Sequence, residues 1–78
     1  MNVLFEDIKE IIIDIADVPE DEITLDSAMI DDLCLSSIEI MTIIGNIEVK
    51  HGVKFSPDDL KAIRTIRELM VAIEGKKN

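Results

Sequence analysis

The 78-residue chain carries 17 acidic and 8 basic residues, a formal charge of −9 at pH 7, with 47% hydrophobic but only 3% aromatic residues. A chain this short holds one domain with one small core, which excludes large catalytic folds. Its negative charge opposes binding to phosphate backbones or anionic headgroups, so nucleic acid is not an expected partner. Fifteen isoleucines make the expected core aliphatic.

The charge is segregated. Residues 1–32 hold eleven acids and one base, residues 33–49 two acids, and residues 50–78 four acids and seven bases. The longest stretch without an acidic or basic residue, Ile40 to Ile47, has eight residues, whereas a membrane-spanning helix needs about twenty. Glu6 and Asp7 interrupt the amino-terminal apolar residues, so no secretory signal is visible and a cytoplasmic address is expected. The single cysteine, Cys34, can form no internal disulfide and falls short of a zinc site.

In chain order, Leu4, Ile8, Ile11, Ile12 and Ile15 recur at spacings of three and four, the stripe of an amphipathic helix over 3–16, with Asn2 as its expected cap. Residues 17–36 show no sustained period and read as a long loop pinned by Ile23, Leu25, Met29, Ile30 and Leu33. A loop of this length usually has a function. Ser36-Ser37-Ile38-Glu39 is a capping box that opens a second helix, with Ser37 at the first helical position. Gly52 closes that helix after roughly fifteen residues, about 22 Å. Ser56-Pro57-Asp58-Asp59 starts a short helix to about Ile63. Thr65-Ile66-Arg67-Glu68 is another capping box, followed by Ile66, Leu69, Met70 and Ile73 at helical period until Gly75, after which Lys76, Lys77 and Asn78 are expected to fray. The expected fold is all-α: a single domain over 1–78, a small bundle of three longer helices and one short helix with a long first connection.

On the second helix, stepping 100° per residue from Ile38, Ile43, Ile47, Ile40, Ile44 and Met41 fall between about 140° and 300°, a broad stripe expected to be buried. Ile38 and Val49 lie outside it, at roughly 0° and 20° beside Thr42 and Gly45, giving a partly apolar outer face edged by Glu39 and Glu48. His51 falls near 220°, on the buried side of the last turn, where packing or capping suits it better than catalysis. A Cys34–His51 nucleophile–base pair would have to close to about 3 Å, yet the two residues flank a helix about 22 Å long. Cys34 reads instead as a small, partly buried hydrophobe. No phosphate-cradling glycine loop, catalytic carboxylate pair or calcium loop is present, so the chain is not expected to be an enzyme.

The segment Asp31-Asp32-Leu33-Cys34-Leu35-Ser36-Ser37-Ile38-Glu39 resembles the attachment motif of the acyl carrier protein family, D-L-G-x-D/S-S-L ahead of a helix, with Ser37 at the modified serine. The resemblance extends over nearly the whole chain. It implies that a separate magnesium-dependent phosphopantetheinyl transferase esterifies Ser37 with 4′-phosphopantetheine from coenzyme A. The arm's thiol then holds acyl groups as thioesters for fatty acid synthesis or a specialised lipid or polyketide pathway. Implied partners are that transferase and acyl-loading, condensing and acyl-transfer enzymes with basic docking patches, meeting a monomeric carrier.

For docking, the resemblance points to Glu39 and Glu48, and the outer face adds Ile38, Met41 and Val49. Ile43, Ile44, Ile47 and Met70 are the expected lining of an acyl cavity, with a solid core as the alternative. The family pattern is broken in several places. Cys34 replaces the usual glycine, Ser36 an aspartate, Ile38 a leucine, Thr42 a usually acidic residue and Gly45 a bulkier contact residue, which leaves the pathway open. Two further readings remain: a carrier of aminoacyl groups, and a helical interaction module without a prosthetic group.

Overall fold

The structure, a computed structural model, describes residues 3–77. It contains the helices α1 (Val3–Ala16), α2 (Ser37–His51), α3 (Pro57–Ala62) and α4 (Ile66–Lys77), with a 3₁₀ turn at Glu20–Glu22 inside the long first connection. The all-α expectation is met. Among the described residues no helix is long and apolar enough to cross a membrane. The expected cap Asn2 and the terminal Asn78 lie outside the described residues.

The core is aliphatic because the helical stripes converge on it. Ile8 and Ile12 of α1, Ile43 and Ile47 of α2, and Ile66, Leu69 and Ile73 of α4 are all fully buried. At about 1.5–3 kcal/mol for each fully buried aliphatic side chain, these seven supply much of the drive to fold. Asp7 of α1 reaches Lys50 (3.3 Å) and His51 (3.5 Å) at the end of α2, which sets the two helices antiparallel.

Both ends of α2 and the start of α3 follow from local chemistry. Ser36 accepts from the Glu39 amide (3.1 Å) while the Glu39 carboxylate accepts from the Ser36 amide (2.9 Å), a complete capping box. Gly52 ends α2 in the left-handed conformation, φ 66°, which glycine adopts without a Cβ penalty. Ser56 and Asp59 form a second capping box ahead of Pro57, which has no amide to satisfy. Contrary to expectation, α4 does not stop at Gly75. Lys76 pairs with Asp59 of α3 (2.8 Å) and Lys77 with His51 (2.9 Å), and these tertiary partners hold the last turn in place.

The long connection is a bonded structure. Ser27 is buried, donates to the Glu22 carbonyl (2.9 Å) and accepts from the Thr24 amide (2.9 Å). Its own carbonyl accepts from the Ile66 amide (3.2 Å), and the Leu25 carbonyl accepts from the Arg67 amide (2.8 Å), so the loop satisfies the first amides of α4. Ile23, Met29 and Leu33 are buried anchors and Leu25 is half-buried. Ile30 is not an anchor: it is 63% exposed, because it sits at the outward turn of the loop over α3.

Candidate functional site

The residues ahead of α2 form a tight turn that fixes where the helix begins. The Asp32 and Leu33 amides donate to the Ala28 carbonyl (2.9 and 3.0 Å), Cys34 to Ile30 (3.1 Å) and Leu35 to Met29 (3.0 Å). Leu33 and Leu35 are buried on either side of Cys34. Cys34 is therefore turned outward. It is exposed rather than partly buried, with φ of 57° in the left-handed region that disfavours residues with a Cβ. Two apolar anchors separated by one residue leave the backbone between them to make this reversal.

Ser37 follows at the first position of α2, exposed to solvent. The Ser36 side chain satisfies the Glu39 amide, but the Ser37 and Ile38 amides precede any possible intrahelical acceptor. The contrast with α4, whose first two amides are covered by loop carbonyls, is informative: α2 presents its positive end open. The two nearby acids are directed elsewhere. Asp32 accepts from the Ala28 amide (2.7 Å) and Asp31 pairs with Arg64 (3.5 Å). An anion carried on Ser37 would meet free amides and the favourable end of the helix dipole, worth roughly 0.3–1 kcal/mol at an exposed site.

Beyond Ser37, the outer face of α2 is apolar. Ile38 is 80% exposed and Val49 87%. Met41 is 58% exposed, so the buried stripe is narrower than the periodicity suggested and ends at buried Ile44. The acids expected to edge this face are both occupied: Glu39 in the capping box, and Glu48 accepting from the Phe55 amide (2.9 Å).

Between α2, α3 and the loop lies a cleft of about 370 Å³. Met29, Ile30, Ile40, Ile44, Leu60 and Ile63 give it apolar walls, with Asp31, Lys61 and Arg64 also on its border. Of the four residues expected to line a cavity, Ile44 borders this cleft. Ile43, Ile47 and Met70 are buried in the core and do not border it. The contributions of Met29, Ile30, Leu60 and Ile63 were missed, because they come from segments without period; four aliphatics flanking Ile40 and Ile44 only in three dimensions leave no linear pattern.

Residues 6–73 match the family model described as the phosphopantetheine attachment site. The acyl carrier protein of Petrotoga mobilis is 37% identical over 75 residues, covering 96% of this chain and 88% of the relative. The chain belongs to the acyl carrier protein family. The acyl carrier protein of Tropheryma whipplei is 35% identical over 74 residues (95% and 90% covered), and that of Chlamydia trachomatis 31% over 75 residues (96% and 97%). Members of this family are carriers rather than catalysts, and their prosthetic group is 4′-phosphopantetheine. The start of α2 fits a phosphodiester, since it offers an exposed hydroxyl beside unpaired amides with the neighbouring carboxylates already engaged. The departure of this chain from the family's usual glycine at Cys34 also acquires a meaning: the position is left-handed, and glycine would occupy it without strain.

His51 is at the far end of α2, about 21 Å along the helix from Ser37. Its Nδ1 lies 2.9 Å from Lys77 Nζ and its Nε2 3.5 Å from Asp7 Oδ2. Burial holds its pKa below the ordinary 6.5, reinforced by Lys77 and Lys50 and opposed by Asp7. The neutral ring accepts from Lys77 and ties together the ends of α2 and α4, the packing role expected of it.

Proposed function

We propose that the protein is an acyl carrier whose Ser37 hydroxyl bears 4′-phosphopantetheine, serving fatty acid synthesis or a specialised lipid or polyketide pathway from the cytoplasm as a monomer. The observation that carries this reading is the exposed Ser37 hydroxyl at the open, positively polarised start of α2. In the loading reaction, catalysed by a separate transferase, the Ser37 oxygen bonds the phosphorus bearing pantetheine. The bond from that phosphorus to the adenosine bisphosphate portion of coenzyme A breaks, and the hydroxyl proton passes to the transferase. When bound, the group supplies a terminal thiol for thioester linkage to acyl cargo. The chain's own part is positional: Leu33 and Leu35 anchor the turn, the Ser36 capping box holds the helix start, and the free amides stabilise the phosphodiester charge.

The transferase and the acyl-loading, condensing and acyl-transfer enzymes would dock on the outer face of α2, through Ile38, Met41 and Val49 with Glu39 and Glu48 at its edge. The negative first half of the chain speeds encounter with basic patches on these partners. Aliphatic cargo would shelter in the cleft bordered by Ile44, with Ile43, Ile47 and Met70 parting to deepen it.

Incubation of the unmodified chain with coenzyme A, magnesium ion and a broad-specificity phosphopantetheinyl transferase should add the mass of one phosphopantetheinyl group, and Ser37→Ala should abolish the gain. An unchanged mass under conditions that load a control carrier would overturn the assignment. The exposed apolar face of α2 favours one second reading, an interaction module without a prosthetic group. Partner binding indifferent to both loading and Ser37→Ala would select it.

A further inference from the structure

Lys77 Nζ lies 2.9 Å from Nδ1 of His51. An ammonium has only donors, so the ring nitrogen facing it is the unprotonated acceptor, and the proton of the neutral ring sits on Nε2. Nε2 is buried and has no hydrogen-bond partner among the described residues. Asp7 Oδ2, at 3.5 Å, stands beyond hydrogen-bond range of it. The side chain is only 10% exposed, its acceptor end is used and its donor end is unsatisfied. The charged groups acting on the ring are Asp7 from α1, Lys77 from α4 and Lys50 on α2 itself. A second proton has to enter at Nδ1, between the ring and the ammonium.

The contact closes a longer bridge. Lys76, next to Lys77, donates to Asp59 of α3 (2.8 Å). Asp59, Lys76, Lys77 and His51 thus connect α3 to α2 across the last turn of α4. Both connected helices are walls of the cleft, α2 through Ile40 and Ile44 and α3 through Leu60 and Lys61. None of the six residues of α3 is buried, so packing alone holds this helix weakly. Glu48 of α2 accepts from the Phe55 amide (2.9 Å) just ahead of α3, which leaves a pivot for the helix to swing on.

We propose that His51 is an acid-released latch on the cleft. A proton taken up from solvent at Nδ1 sets two cations face to face; Lys77 leaves for solvent, the last turn of α4 frays, and α3 swings away from α2. The other end of the bridge survives acid, because the Lys76 hydrogen bond lowers the Asp59 pKa to about 2. His51 is therefore the link that breaks. The use of the latch in releasing acyl cargo rests on the reading of the cleft as the cargo shelter, whereas the latch itself rests on these contacts alone.

The unloaded full chain serves for the test. Backbone ¹³C chemical shifts of residues 75–77 and 60–62 are followed by NMR beside the His51 ring signals from about pH 8 to about pH 5, the range in which an ordinary histidine takes up its charge. In the native chain the folded-to-frayed ratio of residues 75–77 should fall about tenfold in step with the ring, as expected for the loss of one charge-assisted hydrogen bond, and the shifts of residues 60–62 should move with it. His51→Gln, which takes up no charge, and Lys77→Ala, at an exposed position, should show no such step. A native last turn that stays helical while the ring titrates, or a step that persists in Lys77→Ala, would overturn the latch. A step confined to residues 75–77 would overturn its link to the cleft. A chain that shows the step but gains no mass with coenzyme A and a transferase would keep the latch and lose the cargo role.

Discussion

Cys34→Gly is expected to stabilise the protein, although it removes a side chain. Cys34 has φ of 57° and its thiol is exposed, so no buried contact is lost on substitution. Its backbone amide, which donates to the Ile30 carbonyl, is retained. A Cβ in the left-handed region raises the energy by roughly 1–2 kcal/mol. Glycine removes that strain but loosens the unfolded chain, an opposing effect of about 0.4–1 kcal/mol. The balance is a gain of about 1 kcal/mol, which in a domain of this size raises Tm by about 4–8 °C. Thermal unfolding followed by circular dichroism should place Cys34→Gly above the native chain. Cys34→Ala, which keeps the Cβ, should remain close to it. The reasoning fails if Cys34→Gly melts no higher than Cys34→Ala, because the strain at this position would then be absent.

Ser27→Ala should cost about 1 kcal/mol, since it removes the part-buried hydrogen bonds of Ser27 to the Glu22 carbonyl and the Thr24 amide; hydrogen exchange should show early opening at residues 24–33, and unchanged protection there would refute the role of Ser27. His51 has a folded pKa below its ordinary 6.5, so the unfolded chain binds the extra proton first. Its stabilising contribution is complete above that value and is lost as pH falls through the folded pKa. Urea midpoints of the native chain and His51→Gln should accordingly converge on acidification, and Lys77→Ala should raise the His51 pKa in an NMR titration. Asp59 is held at about 2, first by its hydrogen bond from Lys76 and then by the Ser56 amide. Its contribution is present above the ordinary 3.8 and lost as pH falls towards about 2. Lys76→Ala should move its titration back towards 3.8, and an unmoved carboxyl would show that the link between α3 and α4 does not form in solution.

Local chemistry determined the helices. The isoleucine spacing in α1, the capping boxes at Ser36 and Thr65, Pro57 as the first residue of α3 and Gly52 as the end of α2 act within one or two turns, so each is written in consecutive residues. The position of Ser37 was legible for the same reason: a first-turn hydroxyl is set by its own cap. Even the exposure of Ile38 and Val49 followed from helical period alone.

Only the tertiary structure decided the rest, because it depends on groups distant in sequence. Carbonyls of Leu25 and Ser27 cap α4 from about forty residues away, and Lys76 and Lys77 carry α4 past Gly75 by pairing with α3 and α2. The left-handed turn at Cys34 arises because Leu33 and Leu35 must both enter the core. Glu48 looks like a free surface acid until the Phe55 amide is brought to it. The cleft has the same origin, since its walls come from α2, α3 and the loop, and their adjacency exists only once the chain has packed.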